Sequence, residues 1–156
     1  MGGKTSRNKG ARAEREFFAL LQPVIDRVYE CHNERVIDAV DYDTRKLETL
    51  DPPQLKRNLA QYQEGGADGV FPGWLSIEVK RCEALSVAKW WQQAQQAAGA
   101  LTPVLAYRQS RQPWRVVMFA QIGGWGAGAG TFLLDDWLGW FERALEARLR
   151  NNYESL

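Results

Sequence analysis

The sequence predicts an α/β fold, on three observations. Apolar residues recur at helical spacing from Phe17 to Val28, and apolar and polar residues alternate strictly from Leu75 to Lys80. The two kinds of pattern interleave along the chain as helix, two or three strands, helix, two strands, helix. The 156 residues, 45% hydrophobic and 25% charged, suffice for one substantial core and fall short of two ordinary domains. The expected organisation is a single domain over 1–156, with a basic arm over 1–8 and a Gly-rich loop plus final helix over 121–156.

The first helix takes Ser6 or Asn8 as its cap and presents Phe17, Phe18, Leu20, Leu21, Val24, Ile25 and Val28 as one stripe, with Pro23 expected to kink or divide it. Arg35–Val40 reads as a candidate strand, Asp51-Pro52-Pro53 as a break and Gln54–Gln63 as a short polar helix. Ala67–Phe71 and Leu75–Arg81 form a hairpin joined at Pro72-Gly73. Ser86 caps a second helix whose stripe is Val87, Trp90, Trp91, Ala94, Ala97 and Ala98, ended by Gly99. Pro103–Gln109 and Trp114–Ala120 read as strands. The glycines of 123–130 read as a flexible linker, since no Gly-Lys-Ser/Thr follows to make a phosphate-cradling loop. Thr131–Leu134 is a candidate short strand. Asp135 then caps a final helix buried through Trp137, Leu138, Phe141, Leu145 and Leu149.

Composition removes several kinds of chemistry. Twenty Lys and Arg against nineteen Asp and Glu leave a net charge of +1, so any nucleic-acid surface must come from local clustering. Cys31, Cys82 and the single His32 cannot supply four zinc ligands or a disulfide framework, and read as inert thiols and a lone imidazole. The absence of a long apolar run or an apolar segment behind the basic start predicts a cytoplasmic protein with no membrane partner. Carboxylate chemistry is the main enzymatic option left.

Period-two geometry puts Glu78 and Lys80 on one face of their strand, and folding back at Pro72-Gly73 brings Asp68 opposite the neighbourhood of Ile77 and Glu78. Two carboxylates and an ammonium suit Mg²⁺, which takes one or two carboxylates and keeps waters and room for phosphate oxygen. Lys80 can position or help deprotonate an attacking water and offset charge on a scissile phosphate. The alternative is a charge pair on an exposed strand with Asp68 as a turn residue. On a helical wheel Glu14 lies within about 40° of the centre of the first apolar stripe, whereas Glu16 points away. A carboxylate on a core-facing stripe calls for a metal or a cationic partner, unless its place near the helix start simply favours the dipole.

The segments Lys9-Gly10-Ala11-Arg12-Ala13-Glu14-Arg15-Glu16, Gly66-Ala67-Asp68 and Ile77-Glu78-Val79-Lys80 together resemble the PD-(D/E)XK nuclease superfamily. Within it the chain is most similar to archaeal-type Holliday junction resolvases and their phage relatives, the phage branch being suggested by Trp90–Gln95 and by Arg57-Asn58, Gln61-Tyr62 and Gly65–Asp68. The resemblance covers roughly 9–16 and 57–120. It implies an αβββαβ restriction-endonuclease-like core with a mixed sheet flanked by helices, the C-terminal helix being extra. It also implies Mg²⁺ dependence with Mn²⁺ able to substitute, homodimerisation and cleavage of four-way DNA junctions. Carried over, the metal positions are Glu14, Asp68 and Glu78, with Lys80 the catalytic lysine and Arg15 a DNA contact. The segment 31–63 and the Gly-rich loop with its helix depart from the compact archaeal pattern.

Candidate DNA contacts are Lys4, Arg7, Lys9, Arg12 and Arg15 at the start, with Lys56, Arg57, Arg81, Arg108 and Arg111 extending the basic surface, and Tyr62 beside the site. Gln93 is the candidate to reach a metal-bound water or a phosphate, ordinary helix polarity being the alternative. Trp90 and Trp91 read as core or dimer-interface residues. The functional expectation is a Mg²⁺-dependent endonuclease that resolves junctions. Its competitors are a nuclease of the same fold acting on linear duplex and a DNA-binding module without activity.

Overall fold

The computed structural model describes residues 3–39, 49–55, 67–71, 73–122 and 126–154. Helix α1 (Gly3–Ala39) leads to strands β1 (Gly69–Phe71) and β2 (Leu75–Arg81), helix α2 (Val87–Ala98), strands β3 (Thr102–Arg108), β4 (Arg115–Ile122) and β5 (Gly126–Leu133), and helix α3 (Leu134–Glu154). The strands form one five-stranded sheet in the order β1-β2-β3-β4-β5. β2 and β3 run parallel, Ile77 opposite Val104, because α2 crosses between them; the other neighbours are antiparallel. This is a mixed α/β architecture with flanking helices. No described helix is long and apolar enough to cross a membrane.

The layers follow from the alternation in the strands. Leu75, Ile77, Val79, Val104, Ala106, Val116 and Met118 pack toward α1 and α3, where Phe17, Leu21, Ile25, Trp137 and Phe141 close the larger core. Phe17, Trp137 and Phe141 are each at most 1% exposed, and burying such a ring stabilises the fold by about 2–3 kcal/mol. On the other face α2 lays Trp90 and Ala94 over Leu105, Tyr107 and Val117. Arg27 on α1 pairs with Glu142 on α3 at 2.7 Å, outside the core. The stretch 49–55 lies along α1, held by two side-chain amides. Asn33 exchanges two hydrogen bonds of 2.9 Å with the Leu50 backbone, and Gln22 accepts from Leu55 N–H at 2.9 Å and donates to the Pro53 carbonyl at 3.1 Å.

Four sequence expectations are corrected. The first helix begins at Gly3, so Ser6 and Asn8 lie inside it and cap nothing, and most of the expected basic arm is its first turns. Pro23 does not divide α1, which runs unbroken to Ala39. Pro23 and Ala19 are both exposed, so water can take the carbonyl hydrogen bond that proline cannot supply. Arg35–Ala39 is therefore helix rather than strand, and Val36 is buried eight residues after Val28, on the same helical face. The greatest difference lies in the Gly-rich segment, where Gly126–Gly130 is not a linker but joins the expected strand residues Thr131–Leu133 in one strand that pairs with β4 over eight positions. Main-chain hydrogen bonds need no side chain, and as an edge strand β5 packs little of its own surface. Among the described residues two strands precede α2 and three follow it, where the resemblance implied three and one.

Other elements agree with the sequence within a residue or two. The hairpin, both central strands and the last helix stand where their periodicity placed them, although Ser86 at the start of α2 makes no side-chain cap. The proposed polar helix Gln54–Gln63 falls largely outside the described residues.

Candidate active site

The hairpin register builds the site. Gly69 pairs with Ile77, which places Asp68, one residue before the ladder, beside Glu78. The Asp68 carboxylate accepts a hydrogen bond of 2.6 Å from the Val79 backbone N–H, fixing one oxygen against β2. Asp68 is 2% exposed and Glu78 6% exposed. Lys80, two residues on and hence on the same face, donates from Nζ to Glu78 Oε1. Glu14 arrives from α1 and is 5% exposed, as its place on the apolar stripe requires.

The electrostatics join these four residues. Burial pushes the Glu78 carboxyl above its usual range, and the charges of Asp68 and Glu14 add to the rise; the hydrogen bond and charge of Lys80 oppose it and lose. For Lys80 burial works against the charged form, but the bond to Glu78 and the charges of Glu78 and Asp68 outweigh it and hold the ammonium above its usual range. An ion pair by itself would lower its acid. Burial is the main reason that Glu78 rises all the same, with the like charges of Asp68 and Glu14 adding to it, while Lys80 rises because Glu78 and Asp68 favour its charged form.

A hard divalent cation fits that donor set. Among the described residues no group of three or more His, Cys, Asp or Glu side chains is arranged to hold a metal ion, so Glu14, Asp68 and Glu78 do not close on one point as the resemblance implied. Mg²⁺ does not need such a group, because it is bound through one or two carboxylates together with waters and substrate phosphate. Asp68 and Glu78 are the pair the hairpin sets side by side, and Glu14 adds the third carboxylate whose charge reaches Glu78.

Gly69 allows the helix to approach this closely. A Cβ at position 69 would collide with the Phe18 ring of α1. The glycine therefore lets α1 pack directly on β1, one residue from Asp68. Sequence reasoning did not single it out, although a glycine directly after a candidate ligand is the available signal.

The basic residues divide. Lys9, Arg12 and Arg15 are exposed along the start of α1, Arg15 folding back to donate to the Ala11 carbonyl at 3.2 Å. Arg81 and Arg108 are not free surface cations. Arg108 pairs with Glu16 Oε2 at 2.6 Å, Arg81 approaches the same oxygen at 3.8 Å, and the Arg108 guanidinium lies 4.8 Å from the centre of the Trp114 ring. Glu16 points away from the apolar stripe as expected, yet it ties α1 to the ends of β2 and β3 rather than standing in solvent. Lys9 also bears on the far side of this cluster, where the Ser110 hydroxyl holds the exposed Glu83 carboxyl below its usual range with help from Lys9 and Arg81. Gln93 lies exposed on α2. Arg57 and Tyr62, with Lys56, lie outside the described residues. Trp90 is a core residue, and Trp91 is half-buried with its ring 5.2 Å from that of Phe119.

No family model, curated protein or solved structure matches this chain.

Proposed function

We propose that the protein is a Mg²⁺-dependent endodeoxyribonuclease with a PD-(D/E)XK-type core, and that it cuts four-way DNA junctions as a homodimer. The observation that carries the chemical part is the grouping of Asp68, Glu78 and Lys80 at the hairpin, buried carboxylates side by side with an ammonium bonded to one of them. Asp68 and Glu78 would hold the metal, with Glu14 as third carboxylate; Mn²⁺ offers the same hard-ligand chemistry. The metal, when bound, supplies charge stabilisation to the scissile phosphate and lowers the pKa of a coordinated water.

The chain's own residues perform the remaining work. The Val79 N–H keeps one Asp68 oxygen turned to β2 and so orients the carboxylate. Lys80 is held protonated by Glu78, so it serves as a donor to a water or a phosphate oxygen and not as a general base. Lys9, Arg12 and Arg15, exposed and near Glu14 in sequence, would meet backbone phosphates. The preference for junctions rests on the family resemblance, and a two-fold dimer would present two sites to opposing strands.

The test is cleavage of an end-labelled four-way junction and of a linear duplex of the same sequence, each with and without Mg²⁺, alongside light scattering for mass. Paired cuts on opposing junction strands by a dimer, only with metal, are expected. A dimer that cuts linear duplex equally fast moves the assignment to a general nuclease of this fold, and no cleavage of either substrate with Mg²⁺ or Mn²⁺ overturns it.

A further inference from the structure

We infer that Glu16 stands, in the free chain, where a backbone phosphate of DNA binds, and that Arg81 is the cation held in reserve for that phosphate. The inference rests on the nuclease reading for the source of the phosphate. It adds to that reading a contact beside the carboxylate site and an internal competitor for it.

Two guanidinium groups converge on one carboxylate oxygen and share it unequally. Arg108 donates to Glu16 Oε2 at 2.6 Å and lies 4.8 Å from the centre of the Trp114 ring, which braces it. Arg81 stands 3.8 Å from the same oxygen, beyond hydrogen-bond reach, and makes no hydrogen bond to any described residue. Yet the Arg81 side chain is only 22% exposed. A guanidinium buried that far is ordinarily paired and hydrogen-bonded, so this one is short of an anion. Its Nε–H is shut inside the cluster, whereas its terminal nitrogens reach the surface and can be met from outside. Around them Lys9, Arg81 and Arg108 face the acids Glu16 and Glu83, which leaves positive charge in excess.

A phosphodiester suits this arrangement. It carries two unesterified oxygens on one centre and can serve both guanidiniums, where Glu16 Oε2 serves one. Glu16 can give way, because it is 37% exposed and its pairing is that of a surface ion pair, weak enough to exchange. The position fits a strand entering the carboxylate site, since Arg81 ends β2 directly after Lys80, about 3.8 Å along the backbone.

The test reads binding rather than cleavage, with the full chain in EDTA. Fluorescence anisotropy of a labelled four-way junction and a linear duplex is measured over a range of salt for the unsubstituted chain, Glu16→Gln, Arg81→Gln and the double variant, at equal folded fraction by circular dichroism. Arg81→Gln is expected to reduce the slope of log affinity against log salt by about 1. Glu16→Gln is expected to bind about threefold tighter and to lose that gain in the double variant, whereas a general loss of negative charge would keep it. The Arg81 Nε–H signal in a ¹H–¹⁵N spectrum should also move on addition of DNA, and that shift decides alone should Arg81→Gln not fold. Inorganic phosphate is titrated in the same spectrum. A shift with phosphate and none with DNA assigns a free phosphate and overturns the DNA contact, as does an unchanged salt slope in Arg81→Gln or a Glu16→Gln gain that survives in the double variant. A chain that binds through Arg81 and cuts nothing keeps this contact and loses the nuclease assignment; one that cuts junctions with an unchanged slope in Arg81→Gln does the reverse.

Discussion

The approach to β2 and its centre are buried almost equally and use that burial in opposite ways. Just before the strand, Trp74 is 8% exposed among rings: it stacks on Phe141 at 6.2 Å and 13°, meets Phe71 edge-on at 6.3 Å and lies 5.9 Å from Trp140. Midway along it, Glu78 is 6% exposed among charges. Removing a ring from water is favourable, whereas removing a carboxylate is costly and grows costlier beside others of the same sign. One strand can carry both because Ile77 and Val79 continue the core on one face while Glu78 and Lys80 occupy the other. The aromatic region thus supplies stability, and the carboxylate region draws on it to hold groups that would otherwise separate.

The sharpest way to break this comparison is Glu78→Ala. Cleavage is expected to fall about ten-thousandfold, or ~5 kcal/mol in transition-state stabilisation. Stability should hold or rise, since a carboxylate leaves a negative field. Single-turnover cleavage and urea unfolding of the same preparation check both halves; marked destabilisation would show that Glu78 is a structural partner of Lys80. The converse variant, Phe141→Ala, is expected to lose about 3–5 kcal/mol of stability through the cavity it leaves among Trp74, Phe71 and Trp137. In the fraction that remains folded, cleavage per molecule should change little.

Gly69→Ala links the two regions, because the added methyl meets the Phe18 ring beside Asp68. Overpacking of this kind costs about 1–3 kcal/mol. Adding Phe18→Leu should recover stability and cleavage together, measured by thermal melting and by rate. A double variant no better than Gly69→Ala would locate the strain elsewhere. The smallest expected effect belongs to Glu16→Gln, which loosens a part-exposed ion pair with Arg108 by about 1 kcal/mol. Glu14→Gln, two residues away, should leave stability near wild type and lose most activity. If the two glutamine variants cleave equally at equal folded fraction, Glu14 has no part in the site.

The legible part of the site is the part written in local periodicity. Glu78 and Lys80 share a face because strand side chains alternate, Asp68 follows from a turn at Pro72-Gly73, and Glu14 follows from a helical wheel. The same wheel placed Glu16 off the stripe correctly but could not show its partners. Arg108 is 92 residues away, and nothing on α1 encodes that distance. Gly126–Gly130 differs from its linker reading for a related reason: its side chains carry no pattern, and its strand state comes from the eight-residue pairing of β5 with β4.

By itself, then, the sequence determined the helix–strand order apart from Arg35–Ala39 and the first half of β5, the two core-facing stripes and the four residues of the carboxylate–lysine group, because each is set by repeats of two or 3.6 residues. Tertiary structure decided what no repeat encodes. It made β5 a strand through main-chain bonding to its neighbour and kept α1 whole through Pro23 by leaving the affected carbonyl in water. It turned Arg81 and Arg108 inward to Glu16 and buried the Trp74 indole N–H without an acceptor among the described residues. In each case the deciding interaction joins groups distant in sequence or belongs to the backbone, and only packing brings it into being.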